Sequence, residues 1–178
     1  MAREYYSGKL LYPAIGVLAI LSALFGLFVL PRLGPQHPLV SRTAPDFTLP
    51  VVANGDPGAR VRLSDLRDRV VVLDFWTTSC GPCTTQASIL DRLARKYPSD
   101  LTVVGVNLVD TSDDVAAYVH DHGLGYPMVS DENGDTGQGY GVTRLPTLVV
   151  VDKTGTVAAV HEGVTAERAL ESELRSVL

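Results

Sequence analysis

Residues Val70 to Cys83 read VVVLDFWTTSCGPC. The first half is apolar and β-branched, the composition of a strand buried on both faces. The second half turns polar and then supplies Cys80 and Cys83, the two cysteines of the chain, separated by Gly81 and Pro82. Helical spacing follows over Pro82 to Tyr97, with Ala87, Leu90, Leu93 and Ala94 on one side and Pro98 as the stop. A buried strand that ends by presenting Cys-x-x-Cys at a helix start is a redox arrangement. The loop it closes is too short for the pair to act as a stabilising framework.

Upstream of this stretch, Ala44-Pro45-Asp46-Phe47-Thr48-Leu49 opens a β-rich segment that runs through Val52. Asn54 to Gly58 is dense in turn formers and Val61-Arg62-Leu63 alternates, which predicts a β-hairpin. Ser64-Asp65-Leu66 is read as a capped helical turn. Downstream, Leu101 to Val109 is a Val-rich strand, and Thr111-Ser112-Asp113-Asp114 starts a helix that passes Val115 and Val119 and ends at Gly123. Asp135 to Tyr140 is compatible with a short helix. Leu148 to Val151 and Thr156 to Val160 flank a turn, and Thr165 is read as the cap of a last helix bearing Ala169, Leu170, Leu174, Val177 and Leu178. The order β-β-β-α-β-α-β-β-α predicts an α/β sandwich in which parallel crossovers meet a C-terminal antiparallel hairpin.

The N-terminal part is of a different character. Leu10 to Leu30 is 21 residues without a charge, the length of one bilayer crossing at roughly 20 residues. It is longer than the apolar core of a cleaved signal peptide, and no Ala-x-Ala-like site follows it. The expectation is therefore residues 1–9 as a cytoplasmic end, 10–30 as a transmembrane anchor, 31–43 as a Pro- and Gly-rich linker and 44–178 as the redox domain. Arg3 and Lys9 before the span nearly balance Arg32 and Arg42 after it, so charge orients it weakly. A long folded domain after an N-terminal anchor is usually the translocated part, which places it on the extracytoplasmic side. With 46% hydrophobic and 20% charged residues the 178-residue chain has the composition of a folded protein, and a net charge of −5 gives no footprint for nucleic acid.

Asp74-Phe75-Trp76 followed by Cys80-Gly81-Pro82-Cys83 closely resembles thioredoxin, including the Asp six residues before the first cysteine. Arg144-Leu145-Pro146-Thr147 is similar to the thioredoxin loop whose proline is cis. The Ala-Pro-Asp-Phe opening, Leu63-Ser64-Asp65-Leu66 and the apolar N-terminus together resemble the membrane-anchored extracytoplasmic thioredoxins of the TlpA, ResA and CcmG (DsbE) group, over Ala44 to the C-terminus. The resemblance implies a thioredoxin fold, a mixed central sheet flanked by helices, with an added N-terminal β-hairpin. It implies no cofactor beyond a redox-active Cys80–Cys83 disulfide.

A free thiol has a pKa near 8.5, and the N–H groups that converge at a helix start favour the anion of Cys80. Cys80 would open a substrate disulfide and Cys83, one helical turn on, would resolve the mixed disulfide. Asp74 sits inside an apolar strand, where burial raises its pKa. By resemblance it shuttles a proton for the second cysteine, although the anchored group often carries Asn there. The resemblance also places Trp76 beside the site and Gly81, Pro82, Leu145 and Pro146 at the substrate surface. A cis Pro146 would leave the Leu145 backbone free to pair with an extended substrate and would keep metal from the cysteines. Ser79 stands where thioredoxins have Trp, and Thr77 and Thr78 read as helix-capping groups.

Competing chemistries are weaker. Asp131-x-Asn133-x-Asp135 begins like a calcium loop, but Thr136 and Val142 stand where Gly and Glu are needed. His120 and His122 point to different faces of a helix, and His37 and His161 have no partner in sequence. A peroxidatic Pro-x-x-x-Thr-x-x-Cys is half present, with Thr77 three before Cys80 but Leu73 in the proline's place. A metal carrier would lack ligands, since one Cys-x-x-Cys supplies two of the four that zinc usually takes. The expected function is a membrane-tethered thiol–disulfide oxidoreductase, acting as a reductant as in cytochrome c maturation. Its expected partners are protein thiol or disulfide substrates such as apocytochrome c, and a membrane electron-donor reductase. A thiol oxidase is the inverted alternative.

Overall fold

The near-continuous apolar run at Val70–Trp76 forms a strand (β3) in which every residue is buried, and the rest of the sheet is laid out around it. In the computed structural model, which describes residues 11–28 and 37–178, the sheet also contains Thr48–Ala53 (β1), Arg60–Arg62 (β2), Leu101–Leu108 (β4), Met128–Asp131 (β5), Thr147–Val151 (β6) and Val157–Glu162 (β7). The strand order is β2-β1-β5-β4-β3-β6-β7. β3, β4 and β5 run parallel, while β6 and β7 form the expected antiparallel hairpin beside β3. β1 and β2 form the expected N-terminal hairpin, which joins the sheet through an antiparallel pairing of β1 with β5.

The pleat sends alternate residues of β3 to opposite faces. Val70, Val72 and Trp76 pack into one cluster with Cys83, Leu90 and Leu93 of Gly81–Lys96 (α2), Val115 and Val119 of Ser112–His122 (α3), and Leu170 and Leu174 of Glu167–Leu174 (α5). Val71, Leu73 and Phe75 pack on the other face with Ala44, Phe47, Leu63 and Tyr140. Tyr140 follows the short helix Asp135–Gly139 (α4), and its hydroxyl donates to the carbonyl of Pro45 at 2.7 Å. Each fully buried aliphatic side chain contributes about 1.5–3 kcal/mol, so both layers are well supported by burial.

The strand β5 is missing from the order read off the sequence. It has four residues, Met-Val-Ser-Asp, buried throughout, so neither alternation nor length marks it, and it is held by its neighbours β1 and β4. Two caps also differ from expectation. Ser64 makes no helix cap but binds Asp46 through its N–H and hydroxyl, both at 2.9 Å. Thr165 lies one residue before the N-cap Ala166, and its N–H donates to Gln86 Oε1 at 2.7 Å. Thr111 caps α3 as expected, accepting from the Asp114 N–H.

The N-terminal segment is a unit of its own. Its described part is a helix, Leu11–Phe28 (α1), with exposed aliphatic side chains such as Ile15, Leu18, Leu21 and Leu24. Among the described residues no helix is long and apolar enough to cross a membrane, so the transmembrane crossing expected over Leu10–Leu30 is not supported; Leu10, Val29 and Leu30 lie outside the described residues. Residues 1–9 and the 31–36 part of the expected linker also lie outside them. Residues Ser41 and Arg42 of that linker are tied to the domain, exchanging backbone hydrogen bonds with Val157 at 2.8 Å.

Candidate functional site

β3 and β4 end, β6 begins and β7 ends at one edge of the sheet, because Trp76 pairs with Asn107, Phe75 with Thr147, and Thr147 with Glu162. The chain leaves β3 at Thr77 and enters α2 at Gly81, and Cys80 is the N-cap of that helix. Cys80 and Cys83 are joined in a disulfide with Cα atoms 5.3 Å apart. The pair is asymmetric. Cys80 is half-buried, with Gly81 and Pro82 exposed beside it, whereas Cys83 is 1% exposed within the core cluster. Of the two sulfurs, only that of Cys80 is offered to an incoming molecule, and it lies at the N-terminus of α2, where the helix dipole favours an anion.

Thr77 and Thr78, read as caps, do not cap α2. Thr77 Oγ1 lies 3.3 Å from Ser79 Oγ, and Thr78 faces the other way. Its N–H and hydroxyl donate to the two carboxylate oxygens of Asp110, at 2.6 and 2.9 Å. Asp110 also accepts from Asn107 Nδ2 at 2.7 Å. The loop after β4 thus holds the segment before Cys80 in place. Between these contacts lies Val109, 72% exposed and at φ 67°, a left-handed conformation that is an outlier for a β-branched residue.

The loop before β6 completes the edge. The Leu145–Pro146 peptide is cis. Pro146 is buried and Leu145 half-buried, and the Pro146 carbonyl accepts from the Gly163 N–H at 2.7 Å. Asp74 alternates with Val72 and Trp76 along β3, on the face covered by α2. It is fully buried, Oδ1 has no partner among the described residues, and Oδ2 accepts from the Tyr126 hydroxyl at 3.1 Å. Burial pushes the carboxyl up to about 7, with the Tyr126 hydrogen bond pulling the other way. Trp76 lies under the surface, its ring 4.9 Å from that of Tyr118. Gly105, paired with Asp74, leaves the room that Trp76 and Met128 occupy; a Cβ there would fall 2.2 Å from Met128 Sδ.

The fold therefore brings Cys80, Cys83, Gly81, Pro82, Leu145 and Pro146 to one edge, with Asp74 and Trp76 under it. Tyr126, Asp110 and Val109 were not singled out from sequence. Tyr126 is 52 residues from Asp74 and Asp110 32 from Thr78, so no local pattern announces either. The one readable signal was the acidic residue at the end of an apolar strand. Among the described residues no group of three or more His, Cys, Asp or Glu is placed to hold a metal ion.

The chain is similar to known proteins. The AhpC/TSA family profile matches residues 40–160. The thioredoxin-like protein YneN of Bacillus subtilis is 27% identical over 177 residues, 98% of each chain. The thiol-disulfide oxidoreductase ResA of Geobacillus thermodenitrificans is 31% identical over 139 residues, 78% of each chain. A crystal structure from Chlorobium tepidum, assigned as a thiol:disulfide interchange protein DsbE, superposes with a TM-score of 0.70 at 32% identity, covering 76% of this chain and 94% of the other.

Proposed function

This chain belongs to the AhpC/TSA family and is a thiol–disulfide oxidoreductase with a thioredoxin-like fold, and on that premise we propose that it reduces disulfides in extracytoplasmic proteins, apocytochrome c among them. The observation that carries the reading is the asymmetry of the Cys80–Cys83 pair, one sulfur at the surface and the other 1% exposed. In the dithiol form the Cys80 thiolate attacks a substrate disulfide, and a mixed disulfide forms as the first substrate thiolate leaves. Cys83 then attacks Cys80, the Cys80–Cys83 bond closes, and the second substrate thiolate is released. Two electrons pass to the substrate. Asp74, under α2, takes the Cys83 proton, while Leu145 and Pro146 with Gly81 and Pro82 form the surface against which substrate lies.

A membrane dithiol reductase returns the pair to the reduced state. The location is part of the same reading: the apolar, uncharged run 10–30 and the exposed aliphatic side chains of α1 support attachment at a membrane, with the redox domain outside the cytoplasm. The names of the ResA and DsbE relatives support disulfide exchange with proteins. Peroxide reduction is the poorer reading, because Leu73, at the position of the peroxidatic proline, is a fully buried member of β3.

Insulin-type disulfide reduction is expected from the wild-type protein and lost in Cys80→Ser; retained activity in that variant sinks the proposal. Cys83→Ala is expected to arrest mixed disulfides with the client proteins. A Cys80–Cys83 potential well above about −200 mV reverses the direction and makes the protein an oxidant.

A further inference from the structure

We propose that Tyr126 is the positioning residue of the proton-transfer step: its hydroxyl holds the buried Asp74 carboxylate ready to accept the Cys83 proton, a role that rests on the disulfide-exchange reading above. The step is the second half of the exchange. Cys83 loses its proton to Asp74, its thiolate attacks Cys80, the Cys80–Cys83 bond forms, and the bond from Cys80 to substrate sulfur breaks. The leaving thiolate takes a proton from solvent, and Asp74 later returns its own.

Among the described residues, Tyr126 is the one donor to this carboxylate. Oδ2 accepts from the Tyr126 hydroxyl at 3.1 Å, and Oδ1 has no partner among the described residues. The neighbours along the sheet are Gly105 and Leu148, which bring no polar side chain. On the same face α2 brings Cys83 and the buried Gln86, whose Oε1 accepts from the Thr165 N–H, and α5 brings the apolar Leu170 and Leu174. The charged or titratable groups near the pair are Asp91 of α2 and Tyr118 of α3, both of which act on the Tyr126 hydroxyl. A buried carboxylate with no donor is strongly biased to the neutral acid, which cannot accept a proton.

Tyr126 is built to stay where it is. Asn54, in the turn after β1, donates from Nδ2 to the carbonyls of Leu124 and Tyr126 at 2.8 and 2.9 Å. The N–H of Gly125 donates to Asp91 Oδ1 at 2.8 Å. Two separate elements therefore grip the backbone of residues 124–126, and the ring itself is buried in the core cluster. Burial and the adjacent Asp74 raise the hydroxyl well above the ordinary tyrosine range, so it remains a donor at every working pH.

The test is the pH dependence of Tyr126→Phe. Carboxyl carbon NMR of Asp74 in the full-length oxidised protein is expected to show its midpoint moving up by about one to two pH units, the size of one hydrogen bond to a charged group. Insulin reduction at pH 7 is expected to fall by roughly fivefold or more and to recover as pH rises, because less of Asp74 is ionised at neutrality. In an Asp74→Asn background the same substitution is expected to leave the pH profile unchanged. An unmoved midpoint, an equal loss of rate at every pH, or a shifted profile in the Asp74→Asn background each overturn the proposal. If Tyr126→Phe does not fold, Asn54→Ala is read by the same midpoint, where an upward shift supports the role and no shift overturns it. Failure of the underlying reading looks different: Asp74→Asn would then keep the wild-type pH profile, or no disulfide would be reduced at all, whatever Tyr126 does to the midpoint.

Discussion

Asp110 grips Thr78 with both carboxylate oxygens, one on the backbone N–H at 2.6 Å and one on the hydroxyl at 2.9 Å. This clamp joins the loop after β4 to the segment that leads into Cys80, so the surface beside the exposed sulfur is made by two strands rather than one. Hydrogen bonds to a charged group contribute about 1.5–3 kcal/mol each, less where water can substitute. Asp110→Ala is accordingly expected to lower stability by roughly 2 kcal/mol and to slow attack at Cys80. Urea unfolding and stopped-flow reduction by a small dithiol check the two effects; an unchanged midpoint and rate would show the clamp to be idle.

Asp74 makes stability depend on pH. Its carboxyl titrates at about 7 in the fold against 3.8 for the ordinary group. Folding therefore favours the protonated form, and between those values the native state binds more protons than the unfolded chain. The sign follows: stability is highest at low pH with respect to this group and declines as pH rises from about 4 to 7. Asp74→Asn removes the penalty, and its gain over wild type is expected to reach up to about 4 kcal/mol above pH 7 and to vanish near pH 4. Thermal unfolding of the oxidised proteins across this range is the measurement, and a gain that grows toward low pH would refute the assignment.

Val109 holds a left-handed conformation at φ 67° with its side chain in solvent. For residues other than Gly, Asn and Asp that region costs about 1–2 kcal/mol. Val109→Asn is expected to raise stability by about 1 kcal/mol in chemical denaturation, since no packing is lost.

Gly105→Ala is expected to act in the opposite sense. The new Cβ would stand 2.2 Å from Met128 Sδ and 3.1 Å from Trp76 Nε1. Both neighbours are buried, so the strain is about 1–3 kcal/mol. Adding Met128→Val should recover much of the loss; a double mutant no better than the single would place the clash elsewhere.

Much of the redox domain was legible because its signals are local. The run Val70 to Trp76 is apolar on both faces of the pleat, and the Cys80–Cys83 spacing is one helical turn. The turn at Asp152 to Gly155 separates β6 from β7. Each pattern is complete within about twenty residues, so neighbours in sequence carry the whole of it. The order of elements, the hairpins and the placement of both cysteines at the start of α2 follow from such patterns.

The tertiary structure decided what depends on residues far apart. β5 is a strand only because β1 and β4 supply its partners. Thr78 turns from capping α2 to binding Asp110, and Thr165 from capping α5 to donating to Gln86, because a better-placed partner arrives from another element. Asp74 was recognisable as a buried acid, but the hydrogen bond it accepts comes from Tyr126, 52 residues on, beyond a strand and two helices. Spacing along the chain determines which residues share a face. Which hydroxyl meets a buried carboxylate is determined by how the faces are packed.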